Sequence, residues 1–505
     1  MIYFNDILAY FGLPLLDLGK CICQQLVADS RQVRKGDVFC AVSQGCRQRQ
    51  QHIDQAIRNG AIAILYDQNE LSISANVPHY AIPNLAERIP DLAAWFYGYP
   101  SQSLTVIGVT GTNGKTSICH YLAQILSQDH RTAVLGTVGN GIWPGLTEST
   151  LTTPDSCQLQ QQLRNFADQQ VKYVVMEASS HALAQQRVKN VQFDMAIFSN
   201  LTQDHLDYHG DMVAYAQAKQ RLFQTPGLRY AVVNHDSDYI DIVAQDVLPS
   251  VIASHSCGNP AAKIEKTLIF SKQEQPYSDQ IYLQNVQYLD RSMQLSISTP
   301  IGRIVQQVSL LGCFNIDNIL AVVGALILLG YDAETIQGRL ADLVSVRGRM
   351  QVLSEAAQPT VVIDYAHTPD AMRQALSALR QHCHGKLWVI FGCGGDRDRR
   401  KRPLMAQAAA QYADCIIVTE DNARFESRHV IIDDILHGFD CQDKVEVIED
   451  RRQAIQYTLA KATETDMIAL LGKGHETYLD RQGQKTPFNE ATIVQTWWRQ
   501  NHAHT

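Results

Sequence analysis

No stretch of this chain is long and apolar enough to cross a bilayer. The longest apolar run, Ile319–Gly330 (ILAVVGALILLG), has 12 residues, where about 20 are needed, so it reads as a buried helix. A basic segment is also missing at the start. Met1–Lys20 has no basic n-region, and Asp6 and Asp17 interrupt its apolar residues, which argues against a secretory signal peptide. The 12 cysteines lie scattered, without paired zinc-binding spacing. In a long chain with no secretory signal they read as reduced thiols, which points to a cytoplasmic protein. Basic blocks are absent as well: 43 Lys and Arg stand against 51 Asp and Glu, a formal net charge of −8. That balance argues against nucleic acid or an anionic membrane as the main partner, yet leaves room for a local basic pocket for phosphates. No repeat of about 20–50 residues is visible, which argues against a solenoid.

What is present is material for packed cores. Of 505 residues, 45% are hydrophobic and 19% charged, a globular balance with a prior of roughly three domains. Three blocks are expected, over 1–100, 101–345 and 346–505. In the first, DVFCAV (Asp37–Val42) and AIAILY (Ala61–Tyr66) read as strands and Ile53–Gly60 as a helix ended by glycine. Pro100–Ser103 reads as a linker. In the second, LTVIGVT, KYVVMEAS, FDMAIFSNL and RYAVVNHD are apolar strands ending in polar residues, with helical stretches between them. That alternation predicts a largely parallel sheet with crossover helices. Residues 261–312 carry short alternating stretches, QIYLQNVQYL and MQLSISTP, expected as antiparallel strands. The third block, with TVVIDYAH, KLWVIFGCGG, CIIVTED and DMIALLGKG, predicts a second α/β unit. Its strand ends again carry the polar residues, where open α/β sheets place ligands. The fold class is therefore α/β.

The most specific signal is Gly108-Val109-Thr110-Gly111-Thr112-Asn113-Gly114-Lys115-Thr116, between a strand and a helix. Glycines let the backbone turn its N–H groups inward around phosphates, and the following helix adds its positive end. Lys115 is placed for the β- and γ-phosphates of ATP, and the Thr116 hydroxyl for Mg²⁺. The strict G-x-x-x-x-G-K-[ST] spacing would need glycine at 109, where Val109 stands. Glu177 ends the strand KYVVME; a carboxylate at a strand tip beside a phosphate loop suits Mg²⁺, or it is a solvated strand end. Ser199–Lys219 adds His205, Asp207, His209 and Lys219. His205 and His209 are spaced i, i+4, so zinc is an alternative, although the Glu of H-E-x-x-H is missing.

Read together, TGTNGKT, MEASSH, SNLTQDHLDYHGDM with the downstream AK, GCFNIDN, VRGRM, VIDYAHTPDAM and FGCGGDRDRRKRP closely resemble the Mur ligases, in order and over nearly the whole chain. The resemblance implies three domains: a small N-terminal α/β domain for the UDP sugar, a central ATPase domain with a phosphate loop, and a Rossmann-like C-terminal domain for the amino acid. It implies ATP and Mg²⁺ as cofactors, with Gly111, Thr112, Asn113, Gly114, Lys115, Thr116, Asn200, Asn318, Arg349 and Asp364 around the nucleotide, and His367 in the same motif as Asp364. Glu177, His205 and Lys219 match metal-site residues, Lys219 as a carbamate. Only a neutral amine adds CO₂, which suits a lysine whose charged form burial disfavours. Ser30 in Asp29-Ser30-Arg31, Thr152, Thr153, Ser179, Gln185 and Arg187 match contacts to UDP-MurNAc-L-Ala-D-Glu, although a local turn also explains Ser30. The family usually has Asp-Gly after the first-domain strand and the Gly45 turn, where Arg49-Gln50 stand here, and Ala182 replaces a common glycine.

Thr419–Arg424 (TEDNAR) resembles the Asp-Asn-Pro-Arg motif of the members that add meso-diaminopimelate, with Ala423 in place of Pro. A guanidinium binds a carboxylate bidentately, and lysine, the amino acid of the sister activity, has no side-chain carboxylate. Arg397, Asp421, Asn422, Arg424, Gly472 and Glu476 are the implied diaminopimelate contacts. The expected activity is ATP-dependent amide ligation to the D-Glu carboxylate through an acyl phosphate, for which a monomer suffices. The alternatives are the lysine-adding activity, a folylpolyglutamate synthetase, or a silent nucleotide-binding protein. The DSR…GDVF motif and Arg424 argue against the first two, and the intact Lys115, Glu177, His205 and Lys219 against the third.

Overall fold

The structure, a computed structural model, describes residues 1–16, 21–42, 46–67, 73, 77–149, 151–248 and 264–502. Packing divides the chain into two compact units, Met1–Lys115 with Leu122–Thr267, and Thr116–Tyr121 with Leu268–Thr505.

The first unit begins with a parallel sheet of Leu26–Val27, Val38–Ala41, Ala63–Tyr66 and His79–Ala81, in that order. The two expected strands are its central pair. All four residues of Val38–Ala41 are buried, as a strand covered on both faces requires. The crossover helix runs Cys46–Arg58, longer at its start than the Ile53–Gly60 reading. Gly60, at φ +99°, takes the left-handed turn after it. Arg49 lies in this helix and is buried; Gly45 lies outside the described residues. Pro100–Ser103 is a packed 3-10 turn rather than a linker. Buried Ser101 explains the difference, because its Oγ accepts the Gln192 N–H at 3.0 Å.

The central sheet of this unit has the order Tyr230–Asn234, Met195–Phe198, Thr105–Thr110, Tyr173–Glu177, Thr132–Leu135, Asn140–Ile142, parallel except for the last strand. Thr105–Thr110 lies between Met195–Phe198 and Tyr173–Glu177, so the chain order reverses there. Ligands of open α/β sheets bind at the carboxyl end of such a strand, and here that end is the phosphate loop.

In the second unit Gln280–Leu289, Ser292–Thr299 and Gly302–Val308 form the expected antiparallel meander; residues 261–263 of that reading lie outside the described residues. The apolar run falls in the helix Phe314–Leu328, buried along most of its length. A six-stranded sheet follows in the order Gln351–Leu353, Thr360–Asp364, Met467–Leu471, Leu387–Phe391, Cys415–Val418, Val445–Val447, parallel except for the first strand. Apolar cores cover both its faces. The four strands TVVID, LWVIF, CIIV and MIALL therefore deliver His367, the Gly392–Gly395 turn, Asp421–Arg424 and Gly472–Glu476 to one edge.

Candidate active site

The three loop glycines have different physical reasons. A Cβ on Gly108 would lie 2.7 Å from the Phe193 ring, so this position is set by strand–helix packing. Gly111 has φ +148°, and a Cβ there would fall 1.9 Å from Ser199 Oγ. Gly114, at φ +85°, caps the helix Lys115–Leu126. Val109 points into the core, fully buried, so a glycine at 109 would serve no phosphate contact. The loop is strapped from the next strand's end. Asn113 N–H donates to Asn200 Oδ1 at 3.0 Å, Asn200 Nδ2 donates to the Asn113 carbonyl at 3.2 Å, and Thr112 N–H donates to the Asn200 carbonyl at 2.8 Å. Asn200 thus shapes the loop. Lys115 Nζ donates to the Gly111 and Thr112 carbonyls, both at 2.8 Å. Thr116 follows it, buried in the first helical turn.

Lys219 is buried in the helix Met212–Phe223, and its Nζ donates to the same Gly111 carbonyl at 2.7 Å. Burial, then the neighbouring Lys115 charge, pushes its amine well below the ordinary lysine range. Its ammonium lies over the Tyr215 ring at 4.3 Å, and the Tyr215 hydroxyl is 3.2 Å from Thr112 Oγ1. Glu177 is buried at its strand tip, Oε1 accepting the Thr137 N–H at 2.8 Å and Oε2 the Thr137 hydroxyl at 3.2 Å. His205 is exposed, its ring 4.8 Å from that of His181, while His209 Nε2 lies 3.0 Å from Ser180 Oγ. Among the described residues no group of three or more His, Cys, Asp or Glu is placed to hold a metal ion, so nothing completes a zinc site around His205 and His209. Mg²⁺ takes oxygen donors, with phosphate oxygens among them, and the buried Glu177 carboxylate is a donor of that kind. Lys219 joins such a set only as a carbamate.

The residues implied for the sugar-peptide meet in one hydrogen-bonded chain. Thr152 Oγ1 lies 3.1 Å from Thr137 Oγ1, whose own proton goes to Glu177. Thr153 Oγ1 donates to the Glu177 carbonyl at 2.7 Å and accepts the Ser179 N–H at 3.1 Å. Arg187 donates to the Thr153 carbonyl at 3.1 Å and to Gln185 Oε1 at 2.9 Å. Ser30 stands apart from this chain, buried, donating to Gln55 Oε1 at 2.8 Å. Beside it opens a cavity of about 810 Å³, lined in part by Arg31, Arg34, Lys35, Asn59 and Gln158. Arg34 and Lys35 were not singled out from the sequence; the cation pair just ahead of GDVF was the available signal.

In the second unit Asn318 Nδ2 donates to Asn315 Oδ1 at 2.9 Å, within a buried polar knot that includes the Tyr121 hydroxyl. Asp364 accepts the Met350 and Ala366 N–H groups, both at 2.8 Å, and so pins the turn after Arg349. Burial raises the Asp364 carboxyl, and Arg349 acts against that. The Arg349 guanidinium stacks over the Tyr365 ring at 4.9 Å. His367 Nδ1 is 2.8 Å from the Tyr365 carbonyl.

At the sheet edge, Asn422 Nδ2 donates to Glu476 Oε2 at 2.7 Å. Gly472 is close enough to Asp421 that a Cβ would lie 2.7 Å from Oδ2. Arg424, at φ +51°, donates through Nη1 to the Gly395 carbonyl at 2.7 Å. Arg397 is exposed, and its side chain does not enter this network. Two residues not singled out from the sequence build the site. Fully buried Lys473 donates to Asp421 Oδ1 (3.4 Å), Asn422 Oδ1 (3.3 Å) and Glu476 Oε2 (3.3 Å). Fully buried Arg402 grips Glu426 at 2.6 Å and Asp434 at 2.7 Å, which anchors the loop behind Arg424. A lysine between two glycines at a strand end, in GKGHE, was a readable signal; a buried arginine inside the basic run RDRRKR was not.

A phosphate loop at the switch point of an α/β sheet is the mark of a nucleotide-binding enzyme. Residues 109–326 match the Mur ligase middle domain and residues 348–474 the Mur ligase glutamate ligase domain. The chain is 40% identical over 488 residues to the UDP-N-acetylmuramoyl-L-alanyl-D-glutamate–2,6-diaminopimelate ligase of Pseudomonas putida, covering 95% of this chain and 97% of that one. A solved structure of a ligase of that name superposes with a TM-score of 0.69 at 35% identity, covering 99% of both chains. The MurF ligase of Thermotoga maritima in complex with ADP shares the fold, with a TM-score of 0.63 at 19% identity, covering 97% of this chain and all of that one. This chain belongs to the Mur ligases.

Proposed function

We propose that the chain is an ATP-dependent amide ligase that adds meso-2,6-diaminopimelate to the D-Glu carboxylate of UDP-MurNAc-L-Ala-D-Glu, a cytoplasmic step of peptidoglycan synthesis. The observation that carries this reading is the Asn422–Glu476 pair at the strand ends, with Arg424 on the same loop, so that one segment offers both a carboxylate and a guanidinium to the distal end of diaminopimelate. Near-full-length relatives named for that reaction support it. The three segments 1–100, 101–345 and 346–505 are assigned to UDP sugar, ATP and amino acid. A monomer suffices, and among the described residues no helix is long and apolar enough to cross a membrane.

In the proposed reaction the D-Glu carboxylate oxygen attacks the γ-phosphorus of ATP, and ADP leaves. The diaminopimelate amine then attacks the acyl carbonyl carbon; phosphate leaves and the amine loses its proton. Lys115 offsets charge on the transferred phosphoryl group from a loop whose shape Asn200 holds, so catalysis is mainly positioning and electrostatics. Glu177 and Thr116 would hold Mg²⁺, and Lys219 would join them as a carbamate. When bound, the ion neutralises phosphate charge. Thr152, Thr153, Ser179, Gln185 and Arg187 would hold the peptide end of the sugar substrate. The cavity beside Ser30, with three cations on its wall, suits its diphosphate.

The test is phosphate release with ATP, Mg²⁺ and UDP-MurNAc-L-Ala-D-Glu, comparing diaminopimelate with L-lysine. Release that depends on diaminopimelate is the expected result. Release with lysine alone would keep the ligase and overturn the choice of amino acid.

A further inference from the structure

Of the residues assigned to diaminopimelate, Arg424 is the non-glycine one held in the left-handed region, at φ +51°. A side chain makes that conformation costly, and it persists only where the surroundings fix it from several directions. From one side the fixing groups are the Gly395 N–H, which donates to the Asn422 carbonyl at 2.9 Å, and Asp396 Oδ2, which accepts the Phe425 N–H at 3.2 Å. From the other side comes a hairpin of Tyr478–Arg481 and Gln484–Pro487. Gln482 and Gly483 close it, both at positive φ, as one of the favoured two-residue hairpin turns requires. Its outer edge is spent on the loop. The Arg424 N–H donates to the Asp480 carbonyl at 3.0 Å, the Gln482 N–H donates to the Arg424 carbonyl at 2.6 Å, and the Asp480 N–H donates to Asn422 Oδ1 at 2.9 Å. One side chain ties this edge to the segment it supports. Arg481 Nε donates to Glu420 Oε2 at 2.9 Å and Nη2 donates to Oε1, a two-pronged contact that fixes orientation as well as distance. Glu420 is buried just past the strand Cys415–Val418 and directly ahead of Asp421–Arg424, whereas Arg481 is exposed.

We propose that Arg481 is a positioning residue for amino-acid recognition. Acting through Glu420, it locks the hairpin to the strand end in one register, so that Asp480 and Gln482 meet the backbone of Arg424 and hold it left-handed. A hairpin that slips by one residue presents the wrong backbone groups. Arg424 would then relax toward negative φ, and its guanidinium would leave the place where it meets the distal carboxylate of diaminopimelate. The inference rests on the reading of Arg424 as that carboxylate's partner.

The experiment measures kcat and the KM values for meso-diaminopimelate, ATP and UDP-MurNAc-L-Ala-D-Glu, alongside thermal unfolding, in wild type, Arg481→Lys, Arg481→Met and the double variant Arg481→Met/Glu420→Gln. Arg481→Met is expected to raise the KM for diaminopimelate about tenfold, since a misplaced binding group is costly. The other two KM values and kcat should stay near wild type. Arg481→Lys should fall between, because an ammonium pairs with Glu420 without the two-pronged geometry. The double variant removes both halves of the pair, which is far milder than stranding a buried carboxylate, so it remains informative if Arg481→Met does not fold. It should show the same raised KM for diaminopimelate. Three outcomes would overturn the inference: all three KM values rising together, a lower melting temperature with the diaminopimelate KM unchanged, or a double variant that restores that KM and so traces the defect to the stranded charge. A wild type that does not use diaminopimelate would instead overturn the underlying reading of Arg424.

Discussion

Glu177 shows how far a single residue can be read. The sequence places an acid at the tip of a strand beside a phosphate loop. It does not show that Thr137, forty positions earlier, donates both its N–H and its hydroxyl to that acid. Those bonds hold the carboxylate aimed, so Glu177→Ala is expected to lower ligation by about 10²–10³-fold, as is Lys115→Ala. Phosphate release checks both, and near-normal turnover in either would remove that residue from the proposed chemistry. A second residue-scale prediction concerns Arg402, hidden in a basic run that reads as surface charge. Its hydrogen bonds pull Glu426 down to about 2 from the ordinary 4.5. A carboxylate depressed in the folded state contributes stability that is complete above its unfolded pKa and is lost as pH falls toward the folded one. Glu426→Gln should therefore cost stability at pH 7, on the order of 1 kcal/mol once solvent screening of this partly exposed carboxylate is allowed for. The gap from wild type should close between pH 4.5 and 2. Urea unfolding across that range measures it; a gap indifferent to pH would mean that the ion pair is not its source.

At the scale of the element, the phosphate loop was legible as strand, glycine turn and helix, but its departure from the strict spacing was not explicable until the strand was packed. Val109 fills the core and Gly108 makes room for Phe193, so both belong to the sheet, and the anion-facing turn begins only at Gly111. The two glycines should therefore fail differently when replaced. Gly111→Ala puts a Cβ 1.9 Å from Ser199 Oγ at φ +148°. It should cost about 1–3 kcal/mol in strain and weaken ATP binding at least tenfold. Gly108→Ala meets the Phe193 ring instead, with a similar overpacking cost and little change in ATP affinity in the folded fraction. Calorimetric titration with ATP alongside thermal unfolding separates the two. The Pro100–Ser103 segment teaches the same lesson in reverse. Its composition reads as a linker, yet a buried serine hydroxyl and a buried proline make it a packed turn.

For the whole molecule, the ligase reading carries an expectation about coupling. An acyl phosphate exposed to water would hydrolyse, so a site that excludes water should release little phosphate when ATP and the UDP sugar are present without an amino acid. Addition of diaminopimelate should raise the rate at least about tenfold. Rapid uncoupled release would argue against a sequestered intermediate. The α/β class, the parallel central sheet, the antiparallel meander and the motifs that mark the family were all set by local pattern. Apolar runs with period two or 3.6, glycines and strand-end polar residues act over a few neighbours, and those signals survive in a linear reading. Lys473, Arg402, Thr137 and the strap at Asn200 were decided only by the tertiary structure. Each takes its meaning from a partner on another strand or loop, and the balance of buried charge that fixes such a residue exists only once the chain has brought those partners out of water together.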